Sequence, residues 1–220
     1  ATIVDGVPAE HVAEKRPCSR RIVGVDEHVG AADHAAILGS AAMARYVALL
    51  RGINIGPRNR IAMPALREAL EQAGFEDVQT YVQSGNVVLT SRAKAEAVRR
   101  KVEQAIADNF GLDIDVLVRT RADLARIAKA NPLAKVATNP KRYQVTFLES
   151  KLPAETVRKL EELTAHGEQI VARGKEVYAW TPDGIARSKL WAKLAGTSLG
   201  VTATSRNWTT VEALRDLAGG

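Results

Sequence analysis

The chain has 220 residues, 46% of them hydrophobic, with one cysteine and a formal charge of +6 at pH 7. That length holds one large domain or two small ones, each with its own core. No stretch approaches the roughly 18 uninterrupted apolar residues of a membrane span, no basic segment followed by an apolar core opens the chain, and the lone Cys18 closes no internal disulfide, so a cytoplasmic protein without membrane association is expected.

Residues 1–42 differ from the rest: they hold Cys18, His11, His28 and His34, with Ala/Gly-rich stretches and no sustained period. They read as an N-terminal extension, partly disordered or loosely docked. The His and Cys spacings match none of the tight paired-ligand patterns of zinc sites. No metal and no cofactor are expected.

At Met43 the text changes to Ala44-Arg-Tyr-Val-Ala-Leu-Leu50, a strand. Met63 to Ala73 reads as a helix with Pro64 in its first turn, Leu66, Ala69 and Leu70 on one face, and Gly74 after its end. Val78 to Val82 and Val87 to Leu89 read as strands joined by the Ser84-Gly85-Asn86 turn. A helix over Ala95 to Asp108 and a strand over Ile114 to Val118 complete a β-α-β-β-α-β order. That order predicts an α+β protein with a ferredoxin-like unit over residues 43–131. Arg121 to Ala130 is a linking helix, stopped near Asn131-Pro132.

The second subdomain, residues 132–220, reads as a strand at Tyr143 to Leu148 and a helix opened by Pro153 with Val157, Leu160 and Leu163 inward. A hairpin over Glu168 to Ala172 and Glu176 to Trp180 follows. A helix at Ser188 to Leu194, an extended piece at Val201 to Thr204 and a terminal helix from Thr209 end the chain. This partial repeat is expected either to extend the first sheet or to build a smaller α/β-type module.

The most distinctive stretch is Arg51-Gly-Ile-Asn-Ile-Gly-Pro-Arg-Asn-Arg60, between a strand and a helix. Gly52 and Gly56 permit tight turns with exposed amides, while Arg51, Arg58 and Arg60 offer charge-assisted donors, a chemistry suited to phosphate. It lacks the Gly-Lys-Ser/Thr ending of the common nucleotide-triphosphate loop. A glycine-shaped connection with its arginines paired to carboxylates fits the same residues. In Tyr81 to Asn86, strand alternation predicts Tyr81 and Gln83 on one face, with Ser84 and Asn86 in the turn. In Trp180 to Leu190, Asp183-Gly184 is first a turn and Ser188 a helix cap, while Arg187 and Lys189 add charge. In Thr204 to Thr210, Arg206 and Trp208 suit a stacking platform, though a tryptophan in so aromatic-poor a chain is more often core.

Four of these segments, in order, resemble a bacterial family of uncharacterised proteins catalogued as domain of unknown function 1697. Met43 to Gly56 follows its Met-x-x-Tyr-x-x-Leu-Leu-Arg-Gly-x-Asn-x-Gly, and Thr80 to Val87 its Thr-Tyr-x-Gln-Ser-Gly-Asn-Val. Ser188 to Leu190 and Arg206 to Thr210 follow its Ser-Lys-Leu and Arg-Asn-Trp-x-Thr. The resemblance implies a two-part α+β fold with ferredoxin-like organisation and no particular activity. Pro57 stands where a second glycine is common, leaving a stiffer loop with one fewer amide donor.

The residues therefore suggest a binder of a phosphorylated small molecule or nucleic acid. In that reading Arg51, Arg58 and Arg60 neutralise phosphate, and Asn54, Gln83 and Asn86 orient the remainder. The rivals are an enzyme acting on a small polar metabolite in the cleft between the halves, with Asp183 as its carboxylate, and an interaction module that needs no ligand. No run of four Lys/Arg occurs, so a basic surface that binds nothing also fits the charge.

Overall fold

A computed structural model describes residues 42–196 and 198–219. The readings of residues 1–41, with the Cys18, His11, His28 and His34 set, lie outside the described residues. In order the elements are β1 (Ala44–Leu50), α1 (Met63–Gln72), β2 (Glu76–Tyr81), β3 (Asn86–Ser91), α2 (Ala95–Phe110), β4 (Val116–Thr120) and α3 (Arg121–Ala130). Then come β5 (Tyr143–Leu148), α4 (Ala154–Glu161), β6 (Gln169–Arg173), β7 (Glu176–Trp180), α5 (Lys189–Ala195), β8 (Ala203–Asn207) and α6 (Trp208–Gly219).

The strands form two antiparallel sheets, ordered β2-β3-β1-β4 and β6-β7-β5-β8. Each is the strand order of a ferredoxin-like unit, so the fold is α+β as expected. The second half does not extend the first sheet. It repeats the whole β-α-β-β-α-β order, then adds α6 where the first half adds α3.

Burial explains the arrangement. Tyr46, Ala48 and Leu50 face one way from β1, into a core shared with Leu66 and Leu70 of α1 and Val98 and Val102 of α2. Val47 and Leu49 face the other way, into a core that holds Leu124 and Ile127 of α3, Val211 and Leu214 of α6, and Tyr143 and Phe147 of the second sheet. A strand covered on both faces needs apolar residues without alternation, which is what β1 has. A third core beyond the second sheet joins Val177 and Ala179 to Leu160 of α4 and Leu190 and Leu194 of α5. Hence α3 and α6 lie between the sheets, and each sheet carries its own helix pair outside.

Caps at the two inner helices match. Thr120 Oγ1 accepts from the Asp123 amide while Asp123 returns a bond to the Thr120 amide, a reciprocal capping box. Asn207 Oδ1 accepts from the Thr210 amide at the start of α6.

Two strand positions differ from expectation. Polar Arg206 and Asn207 hid the true extent of β8, yet they pair with Val145 and Gln144 of β5. The alternation meant to carry Tyr81 and Gln83 onto one face stops at Tyr81, because Val82 takes φ 49 and turns the chain.

Candidate site at the end of the first sheet

The loop after β1 is held by one side chain. Asn54 takes φ 54, a backbone region asparagine tolerates better than most residues. Its Nδ2 donates to the carbonyls of Ile61 and Gln83, at 2.9 and 2.8 Å. Its Oδ1 accepts from the Ile61 amide at 3.0 Å. The Asn54 amide donates to the Asn59 carbonyl, and Asn59 Nδ2 returns to the Gly52 carbonyl. The amide of Asn54 is thus spent in closing the loop and tying it to the β2–β3 hairpin.

That hairpin is packed from beneath. Gly85 has φ 72, and a Cβ there would lie 2.7 Å from Leu50 Cβ and 2.8 Å from the Ile53 side chain. Only glycine fits both the backbone and the space. The next residue, Asn86, is fully buried; its Nδ2 donates to the Tyr81 carbonyl and to Ser84 Oγ.

Into this floor reaches Arg206, from β8 of the other half. Its Nε donates to Asn86 Oδ1, and its Nη2 lies within hydrogen-bond distance of the carbonyls of Leu50, Ser84 and Gly85. Its Nη1 donates to Thr204 Oγ1 and the Ser205 carbonyl, both at 2.8 Å. The guanidinium is buried, and every partner is neutral. Burial holds its pKa down to about 10, as expected for a cation moved away from water without a counter-charge.

The matching residue of the first half is Arg119, at the same place on β4 that Arg206 has on β8. Its Nη2 reaches the carbonyls of Leu148 and Lys175, the counterparts of Leu50 and Gly85. Its Nε, however, pairs with the carboxylate of Glu176 at 3.0 Å, and Arg126 holds the other oxygen of that carboxylate. Where the first half presents the amide of Asn86, the second presents an acid.

The uncompensated arginine lines a cavity of about 440 Å³ between the β1–α1 loop, the end of β8 and α5. Arg51 stands in its wall, bonded through Nη1 to Asp115 at 3.0 Å. Asp113 and Asp115 face it from the chain leading into β4, and Trp191 and Leu194 face it from α5.

Arg51, Ser84 and Arg206 therefore meet at one cavity. Asn54 and Asn86 support it from behind, while Gln83 contributes a backbone carbonyl to that support. Gly56 has φ 69 with open space around it, and Arg58 and Arg60 are exposed farther along the loop. Asp183, Arg187 and Lys189 are exposed and do not line this cavity, so it does not join the loop to the Asp183 turn. Ser188 caps α5 by accepting from the Trp191 amide at 2.9 Å. Trp208 is buried and stacked on Tyr143, ring centroids 4.9 Å apart, which occupies the face that a base would need.

Sequence reasoning passed over Thr204, Asp113, Asp115 and Trp191. The alternation of Asp113-Ile114-Asp115, with only Ile114 buried, was the available signal for the two carboxylates.

The model of the family described as "Protein of unknown function (DUF1697)" matches residues 43–178. Among solved structures, the conserved bacterial protein SP0830 from Streptococcus pneumoniae is similar at 23% identity and a TM-score of 0.66, over 80% of this chain and 99% of that one. At that identity the likeness bears on the fold alone. A second structure, TA0507, provisionally described as a chlorite dismutase, aligns over 80% of this chain and 98% of its own at 12% identity. Its TM-score of 0.25 carries no argument. No curated protein matches the chain. No helix among the described residues is long and apolar enough to cross a membrane.

Proposed function

We propose a binding role for this chain, which belongs to the family of proteins of unknown function DUF1697: the cavity beside Arg206 takes a small phosphate-bearing molecule of the cytoplasm. One observation carries the reading. Of two equivalent buried arginines, the one neutralised by a carboxylate is Arg119, and the one left with neutral partners, Arg206, lines the cavity. A buried charge without a partner costs several kcal/mol, and an anion in the cavity supplies the counter-charge that the chain does not.

Arg51 adds a second cation in the wall. Its side chain makes one hydrogen bond among the described residues, to Asp115, and a guanidinium has five donors to offer. The volume lies in the range of small-molecule sites. A concave cavity of that size favours a metabolite over a nucleic-acid strand, which needs an extended basic track.

The test is a calorimetric and thermal-shift titration with inorganic phosphate, sugar phosphates and nucleotides, at low and physiological salt. Wild-type protein should bind a phosphate-bearing member of the panel. Thr204→Asp, which sets a carboxylate against Arg206 Nη1, should abolish that binding, while Thr204→Asn keeps it. Arg51→Ala should weaken it about tenfold. Undiminished binding in Thr204→Asp, or no response across the panel, would overturn the proposal.

A further inference from the structure

The cavity is not simply basic. Beside Arg51 and Arg206 it is lined by two aspartates, Asp113 and Asp115; Asp115 engages Arg51, and neither aspartate bonds Arg206. A polyanion such as pyrophosphate or a triphosphate would bring extra negative charge against those carboxylates, which is repulsive at close range. A ligand that suits this wall carries one compact anionic group and, beyond it, hydrogen-bond donors. Carboxylates accept only, so they select hydroxyl or amine hydrogens.

Part of the remaining wall is apolar. Trp191, half-buried on α5, faces the cavity with Leu194, and Ile53 and Ile55 lie on the loop side. Ile55 is 75% exposed, the most exposed large hydrophobic residue among those described. A half-buried indole and an exposed isoleucine in the lining of a polar cavity provide a surface for a flat, weakly hydrated group.

From these three walls, and resting on the anion-binding reading above, we infer that the ligand is a nucleoside monophosphate: phosphate toward Arg206 and Arg51, sugar hydroxyls toward Asp113 and Asp115, and base against Trp191. The assignment places a single phosphate deep and the base toward the mouth. It excludes the di- and triphosphates that a wholly basic pocket would prefer.

The experiment is a competition series on the full chain with inorganic phosphate, ribose 5-phosphate, nucleoside monophosphates and nucleoside triphosphates. It is read by calorimetry and by tryptophan fluorescence. Affinity should rise at least tenfold from phosphate to ribose 5-phosphate to a monophosphate, then fall for the triphosphate. Asp113→Asn should weaken ribose 5-phosphate and the monophosphate about tenfold relative to inorganic phosphate, which loses a repelling carboxylate and no hydroxyl contact. Trp191→Leu should remove the fluorescence change and the gain due to the base, leaving ribose 5-phosphate unaffected. Circular dichroism of each variant checks that the fold persists.

Binding of phosphate with no gain from sugar or base would overturn this inference and leave the anion-binding reading standing. A triphosphate bound more tightly than the monophosphate would do the same. Absence of binding by every anion would remove both.

Discussion

Arg119 and Arg206 hold the same position on β4 and β8, and each crosses from its own sheet to close the end of the other half's sheet. The exchange is reciprocal in backbone terms, since each guanidinium bonds the carbonyl of the last residue of the opposite first strand, Leu148 or Leu50. It is unequal in charge. Glu176 meets one and Asn86 the other.

That inequality orders two substitutions. Arg119→Met leaves the buried carboxylate of Glu176 with only the more exposed Arg126, and breaking a buried pair costs about 3–5 kcal/mol. Arg206→Met leaves neutral acceptors short of donors but also removes an uncompensated cation, so its net cost should be about 1–3 kcal/mol. Urea unfolding of the two variants measures the difference. A larger loss for Arg206→Met would show that its charge is better satisfied than its partners indicate.

Gly85 and Gly56 share the left-handed backbone and differ in their surroundings. At Gly56 an added methyl meets open space, so Gly56→Ala should cost about 1–2 kcal/mol from backbone strain alone. At Gly85 the same methyl overlaps Leu50 and Ile53, and overpacking adds about 1–3 kcal/mol. Gly85→Ala should therefore be the less stable variant in thermal unfolding. It should also disturb the cavity, because Leu50 and Ile53 line it.

The fold was legible where local pattern determines it. A continuous apolar run marked β1 from Tyr46 and β7 from Val177, while β5 alternates Tyr143, Val145 and Phe147 with Gln144 and Thr146. The Thr120-to-Asp123 capping box bounds an α3 read at Arg121–Ala130 with its stop near Asn131-Pro132. The Ser84-Gly85-Asn86 turn was legible as a turn. Its use was not: Asn86 and Arg206 are 120 residues apart, and Leu50 and Arg206 are 156 apart. No periodicity within one element encodes such a contact. The loop arginines drew attention as donors, yet the arginine that reaches deepest into the site lay in a strand whose polarity disguised it. Asn54 and Asn86 looked like ligand contacts because hydrogen-bonding side chains in a turn look alike, whether they bind a substrate or the loop itself.

Alkaline pH should act through two buried phenols and one buried cation, with opposite signs. Burial pushes the Tyr178 hydroxyl up to about 12 and raises Tyr143 as well. An unfolded tyrosine ionises near pH ~10, so above that the unfolded chain holds fewer protons than the folded one. Stability then falls as pH rises, by at most about 1.4 kcal/mol per pH unit for each phenol. Arg206, held down to about 10, loses its proton earlier when folded than when unfolded, so its contribution rises over the same range. Two against one gives a net fall above pH ~10. Unfolding midpoints should decline there in the wild type, while Tyr143→Phe together with Tyr178→Phe should abolish or reverse the decline. An unchanged slope in the double variant would place the alkaline lability elsewhere.

Arg51 and Asn54, three positions apart in one loop, should separate when binding and stability are measured together. The Arg51 ion pair with Asp115 is largely exposed, and such pairs contribute at most about 1 kcal/mol. Arg51→Ala should leave the unfolding midpoint nearly unchanged and weaken phosphate-ester binding. Asn54 closes the loop through three side-chain hydrogen bonds, two of them to carbonyls that would lose their donor. Asn54→Ala should cost about 2–3 kcal/mol, from those bonds and from the left-handed backbone an alanine resists. Its binding should weaken as well, because the loop that carries Arg51 loses its tie to the hairpin. Full stability with impaired binding in Asn54→Ala would instead make the amide a direct ligand contact.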